Sequence, residues 1–346
     1  MLRIFLLSAL LFSVTVLKGQ NSFRAGIVAF YNLENLYDTI NQEGVNDDDF
    51  TPNGINKWTS ERYWLKINRL AEAISRIGED DGIKGGPAIL GVSEIENRAV
   101  LQDLVSHPLL KSSNYQIVHY DSPDLRGVDV ALLYQPRYFR VTSSDSPELI
   151  IYDENNARVY TRDQLVVTGV FDGETISLIV NHWPSRSSGE SVTRPRRNSA
   201  ATLTRHLVDS LFTINTDSKI IVMGDLNDDP VNESLRKYLR ATDNPDKLKN
   251  GELFNCMYPL FKKGVGSLYY QDGMNLFDQI IISPALLGKD YSSYKYYTAR
   301  VFNKSFLVQS DGQYKDYPLR TYVGTTFQGG YSDHFPVYIL IVREKK

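Results

Sequence analysis

Two short phrases late in the chain place catalytic-type side chains where an apolar run stops or starts: Gly224-Asp225-Leu226-Asn227 and Ser332-Asp333-His334-Phe335-Pro336. The first follows Lys219 to Met223, apolar enough for a buried strand, so Asp225 and Asn227 emerge at its end. The second runs straight into another such strand, Val337 to Val342. An acid that can activate water, beside an imidazole that can carry positive charge, suits hydrolysis of a phosphate ester. One Asp at a strand end is more often a turn or cap residue, but four further segments repeat the pattern. Ile27 to Tyr31 ends in Asn32, with Glu34 and Asn35 close behind, and Ala88 to Val92 ends in Ser93-Glu94-Ile95-Glu96-Asn97. Ile176 to Val180 ends in Asn181-His182-Trp183-Pro184, and Leu276-Phe277-Asp278-Gln279 opens the apolar run Ile280 to Ile282. Two histidines therefore share one local frame, Asn-His-Trp-Pro at His182 and Asp-His-Phe-Pro at His334. Strand ends that converge build pockets.

Taken in order, Asn32, Glu94, His182, Asp225 with Asn227, Asp278, and Asp333 with His334 resemble the hallmarks of the metal-dependent endonuclease/exonuclease/phosphatase superfamily. That group includes secreted DNase I type nucleases, abasic-site endonucleases, bacterial sphingomyelinases and inositol polyphosphate phosphatases. The resemblance spans Ile27 to Val342, with two departures: Ser93 stands where Gln is frequent, and a long polar insertion separates Asn32 from Glu94. It implies a four-layer α/β/β/α sandwich, two mixed sheets face to face with helices outside and the site at one sheet edge. It also implies direct hydrolysis with no covalent enzyme intermediate.

The residue types fit the needs of that chemistry. Glu94 is a hard oxygen ligand suited to Mg²⁺ or Mn²⁺, with Ca²⁺ as an alternative, and Asp333 and Asn32 would neighbour the metal directly or through water. Asp225 would orient and deprotonate the attacking water while Asn227 donates to a phosphoryl oxygen. Asp278 would orient His334 and favour its protonated form, with His182 donating from the other side.

The elements that must position these groups follow from periodicity. Trp64, Ile67, Leu70, Ala71, Ile74 and Ile77 form a helical core stripe with Thr59 or Ser60 as cap, and Asn97 to Leu104 reads as a short helix directly after Glu94. Leu165 to Phe171 and Thr175 to Val180 flank the hairpin signal Asp172-Gly173, and Arg197 to Phe212 reads as a helix. Strands alternating with helices indicate an α/β chain, and the hairpin indicates mixed rather than all-parallel sheets. Residues 1–20 read as a signal peptide: Arg3, then an apolar run from Ile4 to Leu17 that is too short to span a membrane. The remainder, 21–346, reads as one domain, placed outside the cytoplasm by that leader. Cys256 is the only cysteine, which excludes an intramolecular disulfide and a thiolate metal site.

The bland readings take their share. Asn41 to Asn56, with Asp47, Asp48 and Asp49, reads as a solvated acidic loop lacking the ligand spacing of an EF-hand, and Glu96 as a helix-start residue. His107, His119 and His206 read as surface or packing residues, and Tyr31, Trp183 and Phe335 as packing beside the site. Arg126 either contacts substrate or pairs with Asp129.

Substrate preference rests on one local feature. Arg186, Arg194, Arg196, Arg197 and Arg205 face a single acid, Glu190, in the stretch that follows His182. Arg186, Arg194, Arg196 and Arg197 could border the groove and contact flanking phosphates, although a solvated helix face is as good a reading. This ranks a nuclease or phosphodiesterase on nucleic acid first and a sugar-phosphate or phospholipid phosphoesterase second. A non-catalytic phosphate-binding module is a distant third. The net charge of −3, which becomes more negative without Arg3 and Lys18, is a poor whole-surface match to DNA.

Overall fold

The computed structural model describes residues 22–345 apart from 154, 188 and 272; the signal peptide expected over residues 1–20 lies outside them. Two sheets form from the apolar runs. The first has six strands in the order Lys295–Val301, Val337–Glu344, Phe23–Leu36, Ile89–Ile95, Asp129–Tyr134 and Gln116–His119. The second has seven: Ala241–Thr242, Leu253–Asn255, Asp278–Ile282, Lys219–Asp225, Glu174–His182, Leu165–Phe171 and Phe139–Asp145. Both are mixed. Phe23–Leu36 runs parallel to Ile89–Ile95 and antiparallel to Val337–Glu344, while Lys219–Asp225 runs parallel to Glu174–His182 and antiparallel to Asp278–Ile282.

Alternation along each strand assigns the layers. Val28, Phe30, Ile89 and Leu132 of the first sheet meet Leu178, Val180, Ile221, Met223 and Ile280 of the second in the central core. Ala29, Tyr31, Leu90 and Val92 point the other way, onto helices Ser60–Arg76 and Arg98–Ser106, whose Ile67, Leu70, Leu101 and Leu104 they contact in one cluster. Ile179, Ile220 and Val222 pack on Ala200, Ala201 and Val208 of helix Glu190–Ile214. The result is the α/β/β/α sandwich. Among the described residues no helix is long and apolar enough to cross a membrane.

Several local expectations hold, and others need correcting. Asn97 caps its helix by accepting from the N–H groups of Ala99 and Val100 at 2.8 and 3.1 Å, and Asp172-Gly173 joins two antiparallel strands. Trp64, however, is 51% exposed: the stripe runs through Tyr63, one position round the helix, with Ile67, Leu70 and Ile74. Thr59 occupies the N-cap position without a side-chain capping bond. The helix expected over Arg197 to Phe212 begins at Glu190, with Pro195 inside it, a position that forgoes one intrahelical hydrogen bond. Glu96 starts no helix; it is buried ahead of Asn97 and accepts the Asp38 N–H at 2.6 Å. In the acidic loop Asp47 is buried, with Gln42 N–H on its carboxylate, while Asp48 and Asp49 are exposed.

Close approach of neighbours, a backbone in one case and a side chain in the other, explains two glycines. A Cβ on Gly224 would meet the Asn181 carbonyl oxygen at 2.3 Å, whereas one on Gly91 would meet the movable Met223 sulfur at 2.6 Å. Gly224→Ala should therefore lower unfolding free energy in urea titrations by about 1–3 kcal/mol, as overpacking does. Gly91→Ala should lower it by less, because a side-chain end can move aside and a carbonyl held in a ladder cannot. Equal losses would show that the strand spacing is not the constraint.

Candidate active site

Strand register brings the second sheet's three chemical ends into one row. Asp225 is the ladder partner of His182 on one side and of Asp278 on the other. Opposite them, in the first sheet, Asn32 is in register with Ser93, and its Nδ2 crosses between the sheets to donate to Asp225 Oδ2 at 3.1 Å and Glu94 Oε1 at 3.2 Å. Its Oδ1 receives the Glu34 N–H at 2.9 Å, so Asn32 aligns two carboxylates.

Glu94 reaches this row because the ladder breaks there. Register shifts between Ser93 and Ile95 on both neighbouring strands, and Glu94 has φ +58°. A bulge of this kind re-aims a side chain. Glu34, Asn35 and Asn227 also have φ near +50°, a clustering of left-handed backbone typical of functional sites. Asn35 donates its N–H to Glu94 Oε2 at 3.0 Å, and Asn227 donates its own to Asp225 Oδ1 at 3.0 Å.

The two imidazoles differ in charge. His334 Nδ1 lies 2.6 Å from Asp278 Oδ2, which also accepts from Ser267 Oγ. Burial opposes protonation of His334, but Asp278, then Asp333 and Asp225, outweigh it and hold its pKa well above the usual value. His182 is driven well below, first by burial and then by Arg162, Arg126 and His334. Its Nδ1 is buried with no partner. A proton there would be an unreceived donor, so the neutral ring carries its hydrogen on Nε2. That atom faces Asp225 at 3.6 Å and Glu94 at 3.7 Å, distances that leave room for a substrate oxygen. Asp225 itself is pushed up to about 7 by burial, with His334 pulling down and Asp278 pushing up.

Two groups of side chains have metal-ligand spacing at this site, Glu94 with His182 and Asp225, and Asp225 with Asp278 and His334. The first offers two carboxylates, hard oxygen ligands that fit a divalent cation, whereas His182, with its hydrogen on Nε2, turns a donor rather than a lone pair toward them. The second is built on a charged imidazolium already paired to its carboxylate, which repels such a cation. Asp333 belongs to neither; Arg320 Nη2 holds its Oδ2 at 2.8 Å. Asn227 Nδ2 donates to the Trp183 carbonyl at 3.0 Å. Tyr31, Trp183 and Phe335 are buried packing residues.

The arginines separate sharply. Arg197 is fully buried, its Nε 2.8 Å from Asp228 Oδ1, and Arg186 Nη2 is 2.8 Å from the same oxygen. Arg205 is buried against Asp209 and the Gly251 carbonyl. These three do not reach outward to flanking phosphates, because Asp228 and backbone carbonyls consume them. Arg194 remains exposed and Arg196 is half-buried. Arg126 lies 3.7 Å from Asp124 rather than pairing with Asp129, which instead holds His119 at 2.9 Å. Residues the sequence did not single out complete the support. Ser267 anchors Asp278, and Ser332 Oγ binds the Asn32 carbonyl at 2.7 Å. Lys66 pairs with Glu34 at 3.3 Å beneath the site. Only Glu34 and Ser332 had a signal, their place in the strand-end phrases.

A model of the Endonuclease/Exonuclease/phosphatase family matches residues 27–343. No curated protein matches in sequence. Solved structures that share the fold include TDP2 of Caenorhabditis elegans in truncated form, at 17% identity and TM-score 0.51, covering 92% of this chain and 97% of that one. A humanized D. rerio TDP2 matches at 13% and 0.52, covering 92% and 98%. A Bacteroides thetaiotaomicron mannosyl-6-phosphatase matches at 15% and 0.52, covering 91% and 98%.

Two measurements check the electrostatics. Replacing Asp278 with Asn should lower the His334 pKa seen in imidazole proton NMR and cut turnover nearly as far as His334→Ala, with strong non-additivity in the double variant. Because the folded pKa of His334 is raised, the stability it contributes is complete below about 6.5 and fades as pH rises through the folded value. Additive losses would mean that the two residues act apart. For Asp225, kcat/KM should climb with pH along a limb at or below about 7, since only the carboxylate can accept a proton. A flat profile from acid to alkaline pH would remove Asp225 as the base.

Proposed function

The chain belongs to the endonuclease/exonuclease/phosphatase family, and on that footing we propose that it is a phosphoesterase whose substrate is a small phosphate ester. The row His182, Asp225, Asp278 with Glu94 and Asn32 facing it carries the reading. In it, Asp225 takes the proton of the attacking water while the water oxygen bonds phosphorus and the bond to the alcohol breaks. His334, kept charged by Asp278, neutralises a phosphoryl oxygen, and His182 donates from Nε2 to another. Asn227 turns its backbone N–H to Asp225, which sets the carboxylate, while its amide is held on the Trp183 carbonyl. A divalent ion, Mg²⁺ or Mn²⁺ with Ca²⁺ as the alternative, would be held by Glu94 and would supply charge neutralisation, leaving Asp225 as the base and the His182 Nε2–H as a donor. Asp333 and Asn32 would act next to it, through water or through the groups they align. No covalent enzyme intermediate is involved.

The small-ester reading is supported by the burial of Arg186, Arg197 and Arg205, which removes three of the five cations available to grip a polymer near His182. A lipid surface is disfavoured because no aromatic between Phe254 and Tyr270 is exposed. The second reading, nucleic acid, is favoured by the exposure of Arg194 and of Arg126 beside Glu94, with Arg196 half-buried. The solved relatives accommodate either, one being a mannosyl-6-phosphatase and another a TDP2 complexed with single strand DNA product. We further propose, from the apolar stretch Ile4 to Leu17 after Arg3, that residues 1–20 are a signal peptide and the enzyme acts outside the cytoplasm, which the N-terminus of the mature protein would test.

Glu94→Gln should keep the fold and reduce turnover on a phosphate ester by at least about 100-fold, with chelation doing the same to the unaltered protein. Neutralising Arg194 and Arg196 together should leave small esters untouched. If it raises the KM for an oligonucleotide and flattens its salt dependence, the nucleic-acid reading replaces the small-ester one. Full activity of Glu94→Gln in chelator would end the metal mechanism.

A further inference from the structure

Resting on the small-ester reading, we propose that the cavity beside Asp333 receives the alcohol portion of the substrate, and that this alcohol is a single ring with adjacent hydroxyls, a sugar. The cavity has a volume of about 320 Å³ and includes Asp333 in its wall. Asp333 Oδ1 lies 3.8 Å from His334 Nε2, so the cavity begins where the phosphoryl group would be held. Its volume stands at the low end for small-ligand pockets, enough for one substituted ring.

The wall chemistry selects among rings. Tyr269 and Tyr317 stack face to face with centroids 3.6 Å apart and planes 10° from parallel, and Tyr314 leans on Tyr317 at 5.6 Å. A pair that close leaves no slot for a planar base between its members. It gives instead a fixed apolar floor with hydroxyls at its edge. Gln271, Gln309 and Gln328 also line the space. Primary amides both donate and accept without charge, which suits hydroxyl groups and does not suit acyl chains. Among the described lining residues the only charged ones are Arg320 and Asp333, and these are paired with each other at 2.8 Å.

Arg320 gives the pocket its direction. It also borders a second cavity of about 260 Å³ that reaches Glu34 and Asn35, and Asn35 holds Glu94. The guanidinium thus stands between the ring space and the Glu94 side, where a phosphate joined to the ring would bridge the two.

The test uses purified protein with Mg²⁺ and four esters: an aldohexose 6-phosphate, ringless glycerol phosphate, a nucleoside 5′-monophosphate and a single-stranded oligonucleotide. Tyr314→Ala and Gln309→Ala, at partly exposed positions, are compared with Tyr314→Phe, and thermal melts confirm folding. The unaltered enzyme should prefer the hexose phosphate over glycerol phosphate by about 10-fold or more in kcat/KM. The two Ala variants should raise the KM for the hexose phosphate about 10-fold while glycerol phosphate stays within about twofold, and Tyr314→Phe should retain the preference. Equal turnover of ringed and ringless esters with silent variants would overturn the pocket alone. A nucleoside monophosphate that outperforms the sugar and responds to the same variants would overturn the sugar assignment. Activity confined to the oligonucleotide would overturn both the pocket and the small-ester reading beneath it.

Discussion

One contact between the sheets organises the site: the Asn32 amide that donates to both Asp225 and Glu94. Each carboxylate comes from a different sheet, and Asp225, which is buried, could not sit beside the half-buried Glu94 without a donor between them. The amide can serve only if the two sheets stack in one relative position. The central core of Val28, Phe30, Met223, Ile280 and their neighbours fixes that position. The geometry of the reaction centre is thus a by-product of hydrophobic packing some distance below it, and the polar contact reports whether the packing is right.

The same economy governs the charges around the site. Two buried ion sets near the site draw their partners from far along the chain. Lys66 on the first helix meets Glu34, and both meet Thr321; Asp228 meets Arg186 and Arg197 and also accepts from Ser234. Breaking one member of such a set leaves an uncompensated charge, which is why these groups behave as rigid braces rather than adjustable contacts. Asp225 is the exception. Its environment keeps it close to neutrality of preference between charged and protonated forms, which is useful for a base and unfavourable for a brace.

What could be read from the chain follows from range. Strand ends are local, and each apolar run announces where its last side chain emerges, so Asn32, Glu94, His182, Asp225, Asp278 and His334 were all visible as chemistry-bearing termini. The Asn97 cap and the Asp172-Gly173 turn are visible for the same reason. The inward turn of Arg186 and Arg197 was not, because an arginine beside a histidine looks like a ligand for phosphate until Asp228, some thirty or forty residues on, is seen to claim it. Trp64 was misplaced by one step of 100°, since a helix stripe read from apolar types cannot tell which of two adjacent aromatics faces in. Ser267 and Arg320 carry no signature of their own; loops deliver them.

The bulge at Glu94 has a consequence for how such a protein can change. Val92 faces the helices, and so does Ile95. Strict alternation would have given that place to residue 94 and turned 95 toward the other sheet. Glu94 is therefore a supernumerary residue: excising it would restore unbroken parity to the strand, with Ile95 sliding into the position its apolar side chain already occupies. Excision would release the Asn32 amide and the Asn35 N–H that Glu94 now receives, yet leave the apolar layers in register. The sandwich and this carboxylate are therefore separately heritable at this point in the chain.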